Sequence, residues 1–247
     1  MITRSDNYVE YCRQTAKHAR DVHDLALRGR DQQEVTKVIH QHIVEAVELR
    51  PEDDLVDVGC GDGILLRMAG EIGVHSAVGF LATEEEVAVV RRAGLDVRQA
   101  LSDHLPAADA SASVVVCNCV LPVVPREKIP ATLHEISRIA KPHARIFLGE
   151  VSVAEEPDPT PRFKSRREML SFLLHNRGLR AWFGMLRRMI WWQITAKPAV
   201  ILPGTGISFF AAPDEFVAMA GAVGMEILRY WESDYPTRNN YLFRKSA

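Results

Sequence analysis

Residues 54–66, DLVDVGCGDGILL, constrain the fold more than any other stretch of the chain. An apolar, strand-like run leads into glycines at 59, 61 and 63, and apolar residues resume at once. Glycines at alternate positions let the backbone turn tightly and let a ligand touch main-chain atoms without a Cβ in the way. A dinucleotide, a triphosphate, or a nucleoside carrying an amino acid would each suit such a loop. No Gly-Lys-Ser/Thr follows, so the triphosphate cradle is set aside. The dinucleotide fingerprint G-x-G-x-x-G fits less well, because position 64 is Ile.

The surrounding rhythm is that of an α/β protein. Residues 5–49 hold no proline and read as two helices broken near Arg28-Gly29-Arg30. In the second, Val35, Val38, Ile39, His42, Ile43, Ala46 and Val47 recur at helical spacing. After Pro51 the pattern alternates: strand 54–58, strand 74–80, helix 83–93, strand 95–99, strand 112–118, helix 126–140 and strand 145–151. Thr83 is placed to cap its helix, with glutamates at 84, 85 and 86 in the first turn. Such alternation predicts a parallel sheet covered on both faces. A proline-rich linker then introduces a long helical stretch to about residue 197. Helix 214–222 and strands 225–231 and 241–245 close the chain.

Composition narrows the class. The 247 residues are 47% hydrophobic and 25% charged, with a net charge of -2, so global charge gives no reason to expect a nucleic-acid partner. The start, MITRSDNYVE, is too polar for a signal peptide, and no apolar run reaches membrane-spanning length. The few cysteines (12, 60, 117, 119) form no metal-binding pair of pairs and point to reduced thiols in a cytoplasmic protein. The His40-x-His42 pair lacks further ligands, so no metal is expected.

DVGCGDG resembles motif I of the class I S-adenosylmethionine-dependent methyltransferases, D/E-x-G-x-G-x-G, and the likeness continues in order along the chain. VGFLATEEEVAVVRRAGLDV resembles that family's second strand and helix. LSDHLPAADASASVVVCNCVL is similar to its third-strand exit and fourth strand. LHEISRIAKPHARIFLGE is similar to its Lys-Pro turn and fifth strand, and FVAMAGAVGMEILRYW with NNYLFRK resembles its terminal helix and reversed strand pair. The resemblance implies a Rossmann-like, seven-stranded, mostly parallel sheet with helices on both faces. Four regions follow: an N-terminal helical cap over 1–49, a cofactor-binding core over 50–151, an inserted helical lid over 152–206, and the end of the core over 207–247.

S-adenosylmethionine is the cofactor this likeness implies. Asp57, Gly59, Cys60, Gly61 and Gly63 would approach its methionine part and ribose, Ser102 and Asp103 its adenine, and Asn118 and Cys119 would pass beneath the methionine moiety. Cys60, Cys117 and Cys119 otherwise read as small packing residues. Leu81 stands where relatives carry the acid that holds the ribose hydroxyls. A leucine accepts no hydrogen bond, a loss on the order of 1.5–3 kcal/mol per bond. Glu84 or Glu85 would be the substitutes, unless they are helix N-terminal charges facing water.

Methyl transfer needs a nucleophile aligned with the sulfonium, water excluded and, for a hydroxyl, a base. Glu150, ending the fifth strand, and His175, in the insertion, are the candidate catalytic residues; His18, His23 and Asp24 are further ones. From 162 to 197 there are nine Lys or Arg against Glu168 alone, interleaved with Trp182, Trp191 and Trp192. Either this is a solvated basic face over an ordinary core stripe, or it attracts an anionic, phosphorylated or lipid-linked substrate or a membrane surface. RNA is a third partner, though no RNA-binding module is recognised. The expected activity is O-methylation of a small molecule, a saccharide or secondary metabolite. A fold retained for binding or scaffolding without methyl transfer is the alternative.

Overall fold

A computed structural model of the protein describes residues 4–17, 33–153, 209–233 and 237–247, and the single positions 19, 21, 22, 25, 170, 171, 174, 179, 182, 183, 186, 187 and 190. Two helices, α1 (Arg4–Lys17) and α2 (Gln33–Ala46), precede the first strand. The alternating part follows as β1 (Asp54–Val58), α3 (Ile64–Ile72), β2 (Ser76–Leu81), α4 (Glu84–Arg91), β3 (Val97–Gln99), β4 (Ala112–Asn118), α5 (Ile129–Ile139) and β5 (Ala140–Ser152). The chain closes with α6 (Pro213–Gly221), β6 (Met225–Glu232) and β7 (Arg238–Lys245).

The strands form one seven-stranded sheet in the order β3-β2-β1-β4-β5-β7-β6. The first five run parallel, while β7 inserts antiparallel between β5 and β6. The sheet is the Rossmann-like one expected. In the central strand β4, Val114, Val115, Val116 and Cys117 are all fully buried, because helices cover both faces. On one face α5 and α6 pack Ile129, Leu133, Ile136 and Phe216 into the core; on the other, α2, α3 and α4 contribute Ile39, Ile43, Leu65, Leu66, Val87 and Val90.

Two expectations need correction. The fifth strand begins at Ala140, five residues early, because Ala140 pairs with Ala112 before a register shift and Arg145 then pairs with Val114. The buried stripe of α2 is narrower than its periodicity implied: Ile39, Ile43, Ala46 and Val47 are buried, but Val38 and His42 are exposed. Val35 lies outside the described side chains.

Arg145 fixes where α2 sits. Its guanidinium donates to the carbonyl of Val47 (2.6 Å), just past the end of α2, and pairs with the buried Asp53. Ser113 Oγ donates to the same carboxylate at 2.8 Å. A cation at a helix C-terminus satisfies carbonyls left open there. This one ties α2 to both β1 and β5. Nearby, Lys141 Nζ lies 2.6 Å from Asp54 and, with hydrogen bonds from Ser76 and His75, holds that carboxyl well below the usual carboxylate range.

Candidate active site

A cleft enclosing about 770 Å³ opens at the carboxyl ends of β1, β2 and β4. This is where parallel sheets bind ligands, because the connecting loops diverge there. The first turn past β1 supplies Gly59 and Gly61, with φ of 77° and 57°, in the left-handed region that glycine tolerates. Their roles differ. A Cβ on Gly59 would meet Val120 Cγ2 at 2.3 Å, so that glycine lets two loops close on each other. A Cβ on Gly61 would meet nothing within 4 Å. Gly61 leaves ligand space open.

Gly63 is not part of the cleft wall. Its Cβ would strike Leu95 Cδ1 at 2.4 Å and Val90 Cγ1 at 3.3 Å, so it is a packing glycine at the start of α3. Cys60 also turns away: it is buried, and its Sγ would lie 2.5 Å from a Cβ on Gly79. Burial, then the Asp57 charge, pushes its thiol up. Burial likewise raises Cys117. Both are packing residues.

Leu81 does line the cleft, buried at the end of β2. The two glutamates named as its substitutes do not. Glu84 is exposed, and Glu85 faces α1, pairing with Arg13 (3.5 Å) and Lys17 (3.8 Å). The next residue, Glu86, lines the cleft at only 1% exposure. Thr83 Oγ1 donates to its carboxylate (3.0 Å) and in turn accepts from its backbone N–H (3.3 Å). This capping arrangement turns the Glu86 side chain back toward the end of β2. Sequence reasoning missed it, although the T-x-x-E spacing was its available signal.

The remaining residues divide between two cavities. Ser102 and Asp103 line the cleft, with Ser102 Oγ 3.1 Å from Thr132 Oγ1 and Asp103 2.9 Å from Lys128 Nζ. Cys119 joins them from the end of β4, at φ 61°. Asp57 is buried in β1 behind the loop, and burial, then the nearby Asp62, pushes its carboxyl up to about 7. It does not line the cleft. The roof was not foreseen in detail: Tyr8, Val9 and Cys12 of α1 close over the ligand space.

Asn118 faces the other way, into a second cavity of about 650 Å³. Here α2 contributes Ile39, His42 and Ile43, and the sheet contributes Phe147, Glu150, Trp231 and Asn240. Glu150 is buried and has φ 58°, a left-handed conformation unfavourable to a side chain. Asn240 Oδ1 accepts from its backbone N–H at 3.0 Å. Its carboxylate lies 3.7 Å from Arg238 Nη1, and the same nitrogen lies 3.6 Å from Cys119 Sγ. The buried Arg238 guanidinium thus touches one lining residue of each cavity.

His175, His18, His23 and Asp24, and the lid residues Trp191 and Trp192, lie outside the described residues. Within the insertion, Leu179, Phe183 and Ile190 are exposed. Among the described residues no group of three His, Cys, Asp or Glu side chains gathers as metal ligands, and no helix is long and apolar enough to cross a membrane.

Residues 56–148, from β1 through most of β5, match the family model described as a methyltransferase domain. With the sheet order and the glycine loop, this match shows a methyltransferase domain of Rossmann-like fold over those residues. Solved structures agree on the fold. A SAM-dependent methyltransferase from Methanosarcina mazei is 16% identical over 83% of this chain and 97% of its own, with a TM-score of 0.54. Magnesium protoporphyrin IX methyltransferase from Synechocystis PCC 6803, solved with bound SAH, is 15% identical over 87% and 83%, TM-score 0.53. The 4+2 cyclase SpnF is 16% identical over 89% and 84%, TM-score 0.59. A sequence comparison with curated proteins gives no match.

Proposed function

We propose that this protein transfers the methyl group of S-adenosylmethionine to a hydroxyl of a small molecule. The observation that carries this reading is Gly61: a residue without a side chain, in the left-handed region, bordering open space in a cleft that also holds a buried carboxylate. The residues present fit the cofactor. Phe80, Leu101 and Val124 offer apolar surface to a base. Glu86 offers an acceptor for vicinal hydroxyls, in place of the acid missing at Leu81. Glu86 and Asp103 against Lys128 leave the lining with an excess of one negative charge, suited to a cationic ligand.

When bound, the cofactor supplies an electrophilic methyl on a sulfonium. The protein's share is then to orient and to exclude water. The loop at Gly59 and Gly61 would hold one end of the cofactor, Ser102 and Asp103 the other, while α1 covers it. Titration with S-adenosylmethionine and its demethylated product tests the reading; binding of neither would overturn it.

A second reading has specific support in Leu81 and in the likeness to a protein named a cyclase. The fold here would bind the cofactor or a related nucleoside without transferring methyl. Transfer of label from methyl-labelled cofactor to any acceptor would exclude it.

A further inference from the structure

The insertion carries a chemistry that neither cavity uses. Leu179, Trp182, Phe183, Leu186, Arg187 and Ile190 are all helical, and the apolar ones recur at the sequence spacing of one helical face. Leu179 is 63% exposed, Phe183 58% and Ile190 49%. Among the described residues these are the three most exposed large apolar side chains. Trp182 and Leu186 are half-buried, and Trp182 meets the Phe183 ring edge-on with centroids 5.0 Å apart. Large apolar side chains gathered in water mark a surface that something else covers.

The charge of the same stretch is equally uneven. From 162 to 197 the sequence holds nine Lys or Arg and one acid, Glu168, a local charge of +8. The whole chain carries -2, so the remaining residues sum to -10. Arg187 is exposed, and Arg177, Arg180 and Arg188 are interleaved with the apolar positions in sequence. The two features together discriminate among occupants. An RNA would use the cations but leave the aliphatic Leu179 and Ile190 in water. A second copy would cover the apolar residues but bring +8 against +8. An anionic bilayer satisfies both, since its headgroups attract the cations and its acyl boundary takes the apolar side chains. The same surface repels the rest of the protein, which turns the insertion toward it.

We infer that Leu179, Phe183, Arg187 and Ile190 form a docking surface for an anionic lipid bilayer. The positive charge brings the protein to the membrane, an attraction screened within about 8 Å at physiological ionic strength. The apolar side chains then enter the boundary between headgroups and acyl chains, about 5–10 Å deep, and hold it there. Charge selects the surface, and apolar burial gives residence on it. The inference concerns where the protein sits and not what it transfers, so it does not rest on the methyl-transfer reading.

The test uses the full chain and phosphatidylcholine vesicles, with or without phosphatidylglycerol at about one lipid in three. Co-sedimentation should show at least ten-fold tighter binding to the anionic vesicles, weakened at least five-fold by several-fold more salt. Leu179→Ser, Phe183→Ser and Ile190→Ser together keep every charge and change only exposed positions, so the circular dichroism spectrum should be retained. Binding of this triple variant to anionic vesicles should fall at least ten-fold, with S-adenosylhomocysteine titration unchanged. Arg187→Glu with Arg188→Glu should lower binding to anionic vesicles at least five-fold. Equal binding to both vesicle types, no vesicle binding, or wild-type binding by the triple variant overturns the proposal. So does a wild-type dimer, seen by ultracentrifugation in place of vesicle binding, that the triple variant dissolves, which would assign the face to a second copy. Retention of single-stranded RNA in place of vesicles would assign it to a nucleic acid and overturn the proposal equally.

Discussion

The two cavities lie on either side of the Asn118–Cys119 step, yet they are built in different ways. The first is assembled around a continuous stretch, β1, the glycine loop and the end of β2, with α1 as its roof. The second takes single residues from α2, β4, β5, β6 and β7. Two buried carboxylates beside them differ as well. Glu150 has an arginine 3.7 Å away, whereas Asp57 has the like charge of Asp62 as its strongest charged influence and is pushed up to about 7. A local motif can furnish a backbone turn, but a balanced buried charge needs partners from distant parts of the chain.

The sharpest way to break this comparison is Gly61→Val. The substitution fills ligand space and strains a left-handed residue, so cofactor affinity should fall at least 100-fold by calorimetry with the circular dichroism spectrum retained. Equal cofactor affinity in the variant would remove the loop from the site.

Asp57→Asn examines the uncompensated acid. Burial pushes the folded carboxyl up to about 7, above its ordinary value of 3.8, so protonation favours the fold. The stabilising contribution is full below about 3.8 and is lost as pH rises through 7. The variant cannot titrate there. Relative to wild type it should gain little at pH 4 and up to about 4 kcal/mol at pH 8, read from denaturant unfolding. A difference independent of pH would show that Asp57 is not held neutral.

Glu86→Gln should weaken S-adenosylhomocysteine binding by about ten- to a hundred-fold, the loss of a charge-assisted hydrogen bond worth about 1.5–3 kcal/mol. Leu81→Asp returns an acid to the end of β2 and should recover affinity mainly in the Glu86→Gln background, where the two carboxylates do not repel. No loss in Glu86→Gln would leave the ribose hydroxyls held elsewhere.

The smallest effect concerns the roof. Glu85 pairs with Arg13 and Lys17 of α1, all partly exposed, so Glu85→Ala should cost less than about 1 kcal/mol in stability. It should speed cofactor release by a few-fold, and added salt should reproduce the effect in wild type. Unchanged release would mean that α1 is held by its apolar contacts alone.

How much of this was legible in sequence depended on range. The strands, the helices between them and the loop could be read because glycine spacing, apolar runs and helix caps are local signals; Thr83 caps α4 as expected. Gly63 and Cys60 shared the same motif but not the same role, since only packing against Leu95, Val90 and Gly79 showed them facing inward. Among three adjacent glutamates, chemistry is identical and a helix turns about 100° per residue. Which one enters the cleft was therefore decided by how α4 packs between β2 and α1, and that selected Glu86.

By itself, then, the sequence determined the alternation of strands and helices and a glycine-rich backbone turn, because both depend on residues near one another. Tertiary structure alone decided the second cavity and the pairing of its buried acid. Those depend on burial and on partners such as Arg238, which comes 88 residues after Glu150 and reaches it only because β7 folds back antiparallel beside β5.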